Sequence, residues 1–241
     1  MNRFDYSLVI SLLSVYFVFL GLASDIRAEN KAKPAIIAID PGHPSETSRG
    51  CIHHGLTELD ICWQTALELE KLIAAEPGFK AIKTKNEVNT LVTNRERAEI
   101  ANNASAIVLI RLHCDSGIGS GCTLYYPDKP GTVQGVTGPS EDVMLASGKA
   151  ARYLQEGLAE TLENRLKLNP IKTDSDTFVG SKQGALTGSI FAKVPAVVVE
   201  MVYLNNASDA AFIKETANQQ LLAKGLLAGV KKLLKAGQNK E

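Results

Sequence analysis

The chain has 241 residues, with 26 Lys and Arg against 26 Asp and Glu, 45% apolar residues and four cysteines. That length supports one large domain or two small ones, and the zero formal charge excludes the broad cationic field of a sequence-independent nucleic-acid binder. A 22% charged fraction with few biased tracts excludes a disordered chain, and four cysteines are too few for a disulfide scaffold. Met1-Asn2-Arg3 carries one positive charge, and the segment from Tyr6 to Ala23 then runs without any charge. A basic start, an apolar run and Ile26-Arg27-Ala28, with small Ala28 before the cut, read as a secretory signal peptide over residues 1–28. The apolar run is just long enough to span a bilayer, so an uncleaved anchor is the weaker alternative. Removal after Ala28 takes Arg3, Asp5, Asp25 and Arg27 with it and leaves residues 29–241 with zero net charge. The protein is therefore expected outside the cytoplasm, periplasmic or secreted, and off the membrane once the signal is cleaved. No cysteine near the end of the apolar run offers a lipid attachment point.

The remainder alternates strand-like and helix-like segments. Pro34 to Ile39 is a short apolar run rich in β-branched residues that stops at Asp40-Pro41-Gly42, as a strand buried on both faces would. Ala106 to Leu112 and Ala196 to Val199 read the same way, with Lys80 to Thr84 and Cys122 to Tyr126 as flanking strands. Leu59 to Ala75 places Leu59, Cys62, Ala66, Leu69, Leu72 and Ile73 on one helical stripe, and Thr93-Asn94-Arg95-Glu96 is a capping box opening a helix to Asn102. Longer helices are expected from about Glu141 to Leu166 and from about Ala217 to Ala236, with Gly131 to Ser140 as an exposed connection. The alternation predicts a single-domain α/β fold: a mostly parallel twisted sheet with helices on both faces.

Ligands in such sheets bind at the carboxyl edge of the strands. The three buried runs end there in Asp40-Pro41-Gly42-His43, Arg111-Leu112-His113 and Val198-Val199-Glu200. Glu58 lies four positions before Cys62, so helical spacing turns its carboxylate toward the same side as the core. Two imidazoles and one carboxylate, His43, His113 and Glu58, make a three-ligand set with an open fourth position, the pattern of catalytic zinc, and no Cys-x-x-Cys pair imitates a structural site. Such an ion activates water and polarises a carbonyl, which implies hydrolysis of an amide or ester. Glu200 is assigned the proton-carrying role, base toward the water and acid toward the departing nitrogen.

The elements Ile37 to His43, Gly55 with Glu58-Leu59-Asp60, Arg95-Glu96-Arg97 with Ala101-Asn102, Leu112-His113, and Pro195 to Glu200 with Asn205-Asn206 resemble, in order and spacing, the zinc-dependent N-acetylmuramoyl-L-alanine amidases. The resemblance runs from about Ala35 to the C-terminal helix and implies one catalytic domain over residues 34–237. It implies cleavage of the amide between the lactyl group of N-acetylmuramic acid and the L-alanine of the stem peptide, so the partner is peptidoglycan or a muropeptide. Carried over by motif, His43, Glu58 and His113 would hold one Zn2+, Glu200 would be the catalytic glutamate, and Asp40 is a candidate to support the ligands from behind. The chain departs from the family at Cys114-Asp115-Ser116 and at Met201-Val202-Tyr203, which flank the site and bear on substrate preference. Residues 131–188 match only loosely, which leaves autoinhibition by that region open.

A peptidase cutting within the stem peptide, or a non-catalytic wall-binding module of the same fold, are the competing readings; such modules tend to lose ligands, and all four site residues are present. A monomer is expected, with wall targeting from the domain itself or from an activator protein. His53 and His54 are read as a solvent-exposed loop pair, and Arg95 and Arg97 as partners of structural carboxylates. Four cysteines permit three complete pairings, and the sequence does not choose between Cys114 or Cys51 as a partner for Cys122. Cys62 is read as a small buried hydrophobe, and a Cys114 nucleophile working with His113 is disfavoured because adjacent strand residues face opposite ways.

Overall fold

The computed structural model describes residues 33–238; the expected signal segment over 1–28 lies outside them. In chain order the elements are β1 (Ala35–Pro41), a small hairpin of β2 (Ile52–His53) and β3 (Leu56–Thr57), α1 (Glu58–Ala74), β4 (Phe79–Lys83), α2 (Asn94–Asn103), β5 (Val108–Asp115) and β6 (Thr123–Tyr126). A second hairpin, β7 (Gly131–Val133) and β8 (Val136–Gly138), precedes α3 (Glu141–Leu162), β9 (Lys172–Thr173) and the short helices α4 (Phe178–Gln183) and α5 (Thr187–Ile190). The chain closes with β10 (Ala196–Tyr203), α6 (Ala207–Lys214) and α7 (Thr216–Gln238).

Six strands form one sheet in the order β4-β1-β5-β10-β6-β9. β4, β1, β5 and β10 run parallel, and β6 runs antiparallel to β10, so the sheet is mostly parallel as the alternation predicts. Period two along the strands sorts their side chains. Ile37, Ile39, Val108, Ile110, Leu112, Val197 and Val199 join the stripes of α1, α3 and α7 in the larger apolar core. On the other face, Ala38, Leu109 and Ala196 pack with Ala101 of α2 in a much thinner layer. The expected stripe of α1 is buried at Cys62, Ala66, Leu69 and Ile73, and the Thr93 capping box of α2 forms with both of its reciprocal bonds.

Four expectations need correction. β5 and β10 continue past His113 and Glu200 to Asp115 and Tyr203, because the two strands keep pairing beyond the site, with a register shift after Glu200. α3 stops at Leu162, four residues short of the expected end, where Glu163 adopts a left-handed cap. α7 runs slightly longer than expected. Gly131 to Ser140 is not an open connection: it folds into the β7–β8 hairpin, which packs against α4 and α5, contacts that composition does not announce.

α3 and α7 pack closely where Gly157 meets Gly225 and Gly229. A Cβ at Gly157 would lie 2.3 Å from the Gly225 carbonyl oxygen and from the Gly229 amide nitrogen, so the two helix backbones must part to admit it. Gly157→Ala is expected to lower stability by about 1–3 kcal/mol despite the better helix propensity of alanine, seen as a lower urea midpoint at unchanged slope.

Candidate metal centre

The centre is built from three segments that meet at the carboxyl edge of the sheet. After β1 the chain turns at Gly42, whose amide donates to the Leu112 carbonyl at 2.9 Å. A Cβ at Gly42 would lie 2.6 Å from Cε1 of His113, so the turn needs glycine to let that imidazole close on it. His43 follows with φ of 54°, a left-handed backbone that costs energy for any residue but glycine. Two buried cations fix it. Lys85 Nζ donates to the His43 carbonyl, and Arg97 donates to the carbonyls of Pro41 at 2.9 Å and Pro44 at 2.8 Å.

Glu58 is the first residue of α1, which Thr57 caps by accepting from the Asp60 amide. Its carboxylate is 4% exposed and points inward, as its distance from Cys62 predicts. Oε1 lies 3.0 Å from His43 Nε2 and 3.0 Å from His113 Nδ1, while backbone amides of Cys51 and Cys114 donate to the two oxygens at 3.0 and 3.1 Å. His43 Nδ1 is 3.2 Å from the Ser48 carbonyl, an acceptor that keeps the proton on Nδ1 and turns the Nε2 lone pair to the centre. One donor atom from each of His43, Glu58 and His113 lies within 4.8 Å of the others, a group competent to hold a metal ion.

The protonation states suit such an ion. Burial works to raise the Glu58 carboxyl, but the imidazoles of His113 and His43 beside it outweigh burial and hold the group well below the usual carboxylate range. Burial pushes His113 down toward its neutral form against the pull of Glu58. A carboxylate beside two imidazoles is a donor set suited to a divalent cation.

Glu200 stands opposite His113 in the pairing of β10 with β5, on the same face of the sheet. Its Oε2 is buried and has no hydrogen-bond partner. Burial, then the negative charges of Glu58 and Asp115, push its carboxyl well above the ordinary range, with Arg111 opposing them. His43, His113 and Glu200 open onto a cleft of about 500 Å³ whose far wall carries Gln134 of the β7–β8 turn, Gln183 and Leu186.

Asp40 does not touch the three converging donors. It is fully buried and accepts from Thr84 Oγ1 at 2.6 Å, from Arg97, and from Arg111 Nε at 2.9 Å; through Arg97 it braces the Pro41–Pro44 turn that carries His43. Arg97 thus pairs with a structural carboxylate as expected, and Arg95 pairs with Glu99. His53 and His54 are not among the converging donors, and they are not both an exposed loop: His53 is half-buried in β2 with its ring 2.8 Å from Ser116 Oγ, whereas His54 is exposed at 3.1 Å from the Asn205 carbonyl. The four cysteines are free thiols. Cys62 and Cys114 lie in the larger core, so the Cys114 thiol faces away from His113. Two features of the cleft have no counterpart in the sequence reading. The 131–138 hairpin forms a wall, and Arg111 forms part of the floor. The Arg111 signal was present as a charged residue inside an apolar strand, two positions before His113 and so on its face.

Residues 37–232 match the family model described as N-acetylmuramoyl-L-alanine amidase. Among curated proteins the chain is 26% identical over 206 residues to the N-acetylmuramoyl-L-alanine amidase LytC of Bacillus subtilis, covering 84% of this chain and 36% of that protein. It is also 26% identical over 248 residues to an N-acetylmuramoyl-L-alanine amidase of Mycobacterium tuberculosis, covering 88% and 94%. The chain spans only about a third to a half of the length of the first curated relatives it matches. Among solved structures, the N-acetylmuramyl-L-alanine amidase of Mycobacterium smegmatis aligns with a TM-score of 0.68 at 20% identity, covering 86% of this chain and all of that one. The CwlD amidase of Clostridioides difficile, solved in complex with the GerS lipoprotein, aligns with a TM-score of 0.65 at 19% identity over 84% of this chain and 99% of that one. The structural likenesses show a shared fold.

Proposed function

The chain belongs to the N-acetylmuramoyl-L-alanine amidase family, and on that premise we propose that it is a zinc-dependent hydrolase cleaving the amide between N-acetylmuramic acid and L-alanine in peptidoglycan. The observation that carries this reading is the convergence of His43, Glu58 and His113 on one point, with Glu200 in the adjacent register position beside an open cleft. These three residues would hold one Zn2+, which when bound polarises the scissile carbonyl and acidifies water at its open position.

The rest of the work falls to the protein. Glu58 and the Ser48 carbonyl orient His43, while Gly42 and Glu58 orient His113, so the donors are placed before a ligand arrives. Glu200 takes a proton from the attacking water and delivers it to the departing alanine nitrogen; its buried, unpartnered Oε2 is the atom free to carry it. The cleft walls hold the lactyl group and the peptide on either side of the scissile bond.

Residues 1–28 act as an export signal in this reading, which places the enzyme with its substrate in the periplasm or outside the cell. No helix of the described residues is long and apolar enough to cross a membrane. The catalytic domain, residues 34–237, acts as a monomer with an activator protein as its partner; the CwlD amidase of C. difficile was itself solved in complex with a lipoprotein. Dialysis of purified protein against a strong chelator is expected to abolish release of intact stem peptides from isolated wall, and one equivalent of zinc to restore it. Shortened stem peptides in the mass spectrum would place the cut inside the peptide instead. A protein that carries no metal and releases nothing would be a binding module.

A further inference from the structure

The floor of the cleft carries more buried positive charge than the fold needs. Asp40 is the carboxylate between two guanidiniums, those of Arg97 and Arg111, and both arginines are almost fully buried. Burying an unbalanced cation is costly, so a surplus of this kind calls for a compensating anion. The neighbouring acids do not supply one. Asp174 is fully buried, accepts from the Leu186 amide through Oδ2 at 3.0 Å and is pushed up by burial toward its neutral form. Glu46 stays at the exposed rim, where it accepts from the backbone and side chain of Asn94. Glu58 is committed to the two histidines, and Glu200 makes no ion pair with Arg111.

Arg111 is the cation placed to use this surplus. It faces the cleft two positions before His113 on β5, and it pairs in register with Asp40 on one side and Val198 on the other. Among the described residues its hydrogen bonds use Nε, to Asp40, and Nη2, to Asn94 Oδ1 at 2.7 Å. Gly188 packs on the guanidinium, where a Cβ would come within 2.4 Å of Nη1, so only glycine leaves room for the arginine at this position; Nη1 itself makes no hydrogen bond among the described residues.

Resting on the amidase reading, we propose that Arg111 is a specificity-determining residue: its Nη1 edge binds a carboxylate of the stem peptide just beyond the L-alanine, anchoring the peptide on the cleft floor. A guanidinium held by two neighbours donates to a carboxylate with its geometry already set.

The test compares two muramyl tetrapeptides that differ only in carrying a carboxylate or a carboxamide on the residue after L-alanine. The zinc-loaded wild type is expected to prefer the carboxylate form by about tenfold or more in kcat/KM, mostly through KM, as for a charge-assisted hydrogen bond lost. Arg111→Gln is expected to erase the preference, so that the ratio of kcat/KM for the two forms falls to about one, with Arg111→Lys retaining part of it. Wild type that cleaves both forms equally, or Arg111→Gln that keeps the preference, overturns the proposal. The wild-type comparison needs no variant to fold. If wild type cleaves neither substrate, the amidase reading itself fails, and that outcome is distinct from equal cleavage of both.

Discussion

Glu200→Gln is expected to bind as much zinc as the wild type and to release stem peptides about 10²–10⁴ times more slowly, the usual contribution of a positioned proton carrier. The separation follows from geometry. Glu200 is not among the three residues whose donor atoms converge, so replacing it leaves the ligand set intact. Burial, then the charges of Glu58 and Asp115, already disfavour the ionised form of its carboxyl, so a neutral amide of the same shape is tolerated and the melting temperature is expected to hold. Metal analysis of the purified variant beside its rate decides the role. A variant that loses its zinc would make Glu200 a ligand, and one that keeps full activity would remove it from the mechanism.

Asp40→Asn is expected to cost about 3–5 kcal/mol of stability, because it leaves Arg97 and Arg111 buried without their counter-charge. The same carboxylate links stability to pH. Burial would raise Asp40, but the two guanidiniums outweigh it and hold the group far below the usual carboxylate range. A folded-state pKa below that of the unfolded chain means the contribution is complete at neutral pH and is lost as the pH falls through and below the ordinary range of aspartate. Urea unfolding at pH 7 and near pH 3, below the unfolded-chain pKa of aspartate, is expected to show the wild type weakening on acidification and Asp40→Asn, already without the contribution, weakening less. Equal stability of the two proteins at pH 7 would show that the arginines are balanced elsewhere.

The sequence and the structure agree most closely where the signal is local. The β-branched run before Asp40 is a buried strand because no charge interrupts it, and the stripe of α1 is buried because its apolar residues recur at helical spacing. Glu58 was legible for the same reason: four residues before Cys62 on a helix, it shares the inward face. His113 and Glu200 were legible as polar residues that close apolar runs, although both lie inside their strands, since pairing between β5 and β10 outlasts the apolar pattern.

What stayed hidden depends on contacts between segments distant in the chain. The 131–138 hairpin has the composition of a loop, and only its packing on α4 and α5 makes it a cleft wall. Asp40 was a candidate to support the three converging donors, yet its side chain points to Arg97, Arg111 and Thr84, and it acts on His43 only through the turn that Arg97 grips.

By itself the sequence determined the α/β alternation and the identity of the three converging donors, because helix and strand periods fix which way neighbouring side chains face. Only the tertiary structure decided that His43, Glu58 and His113 meet within 4.8 Å, that Glu200 stands in the next register position, and that two arginines share one buried carboxylate beneath the cleft. Those distances are set by strand order and register, which arise from the packing of the whole sheet and are written in no single segment of the chain.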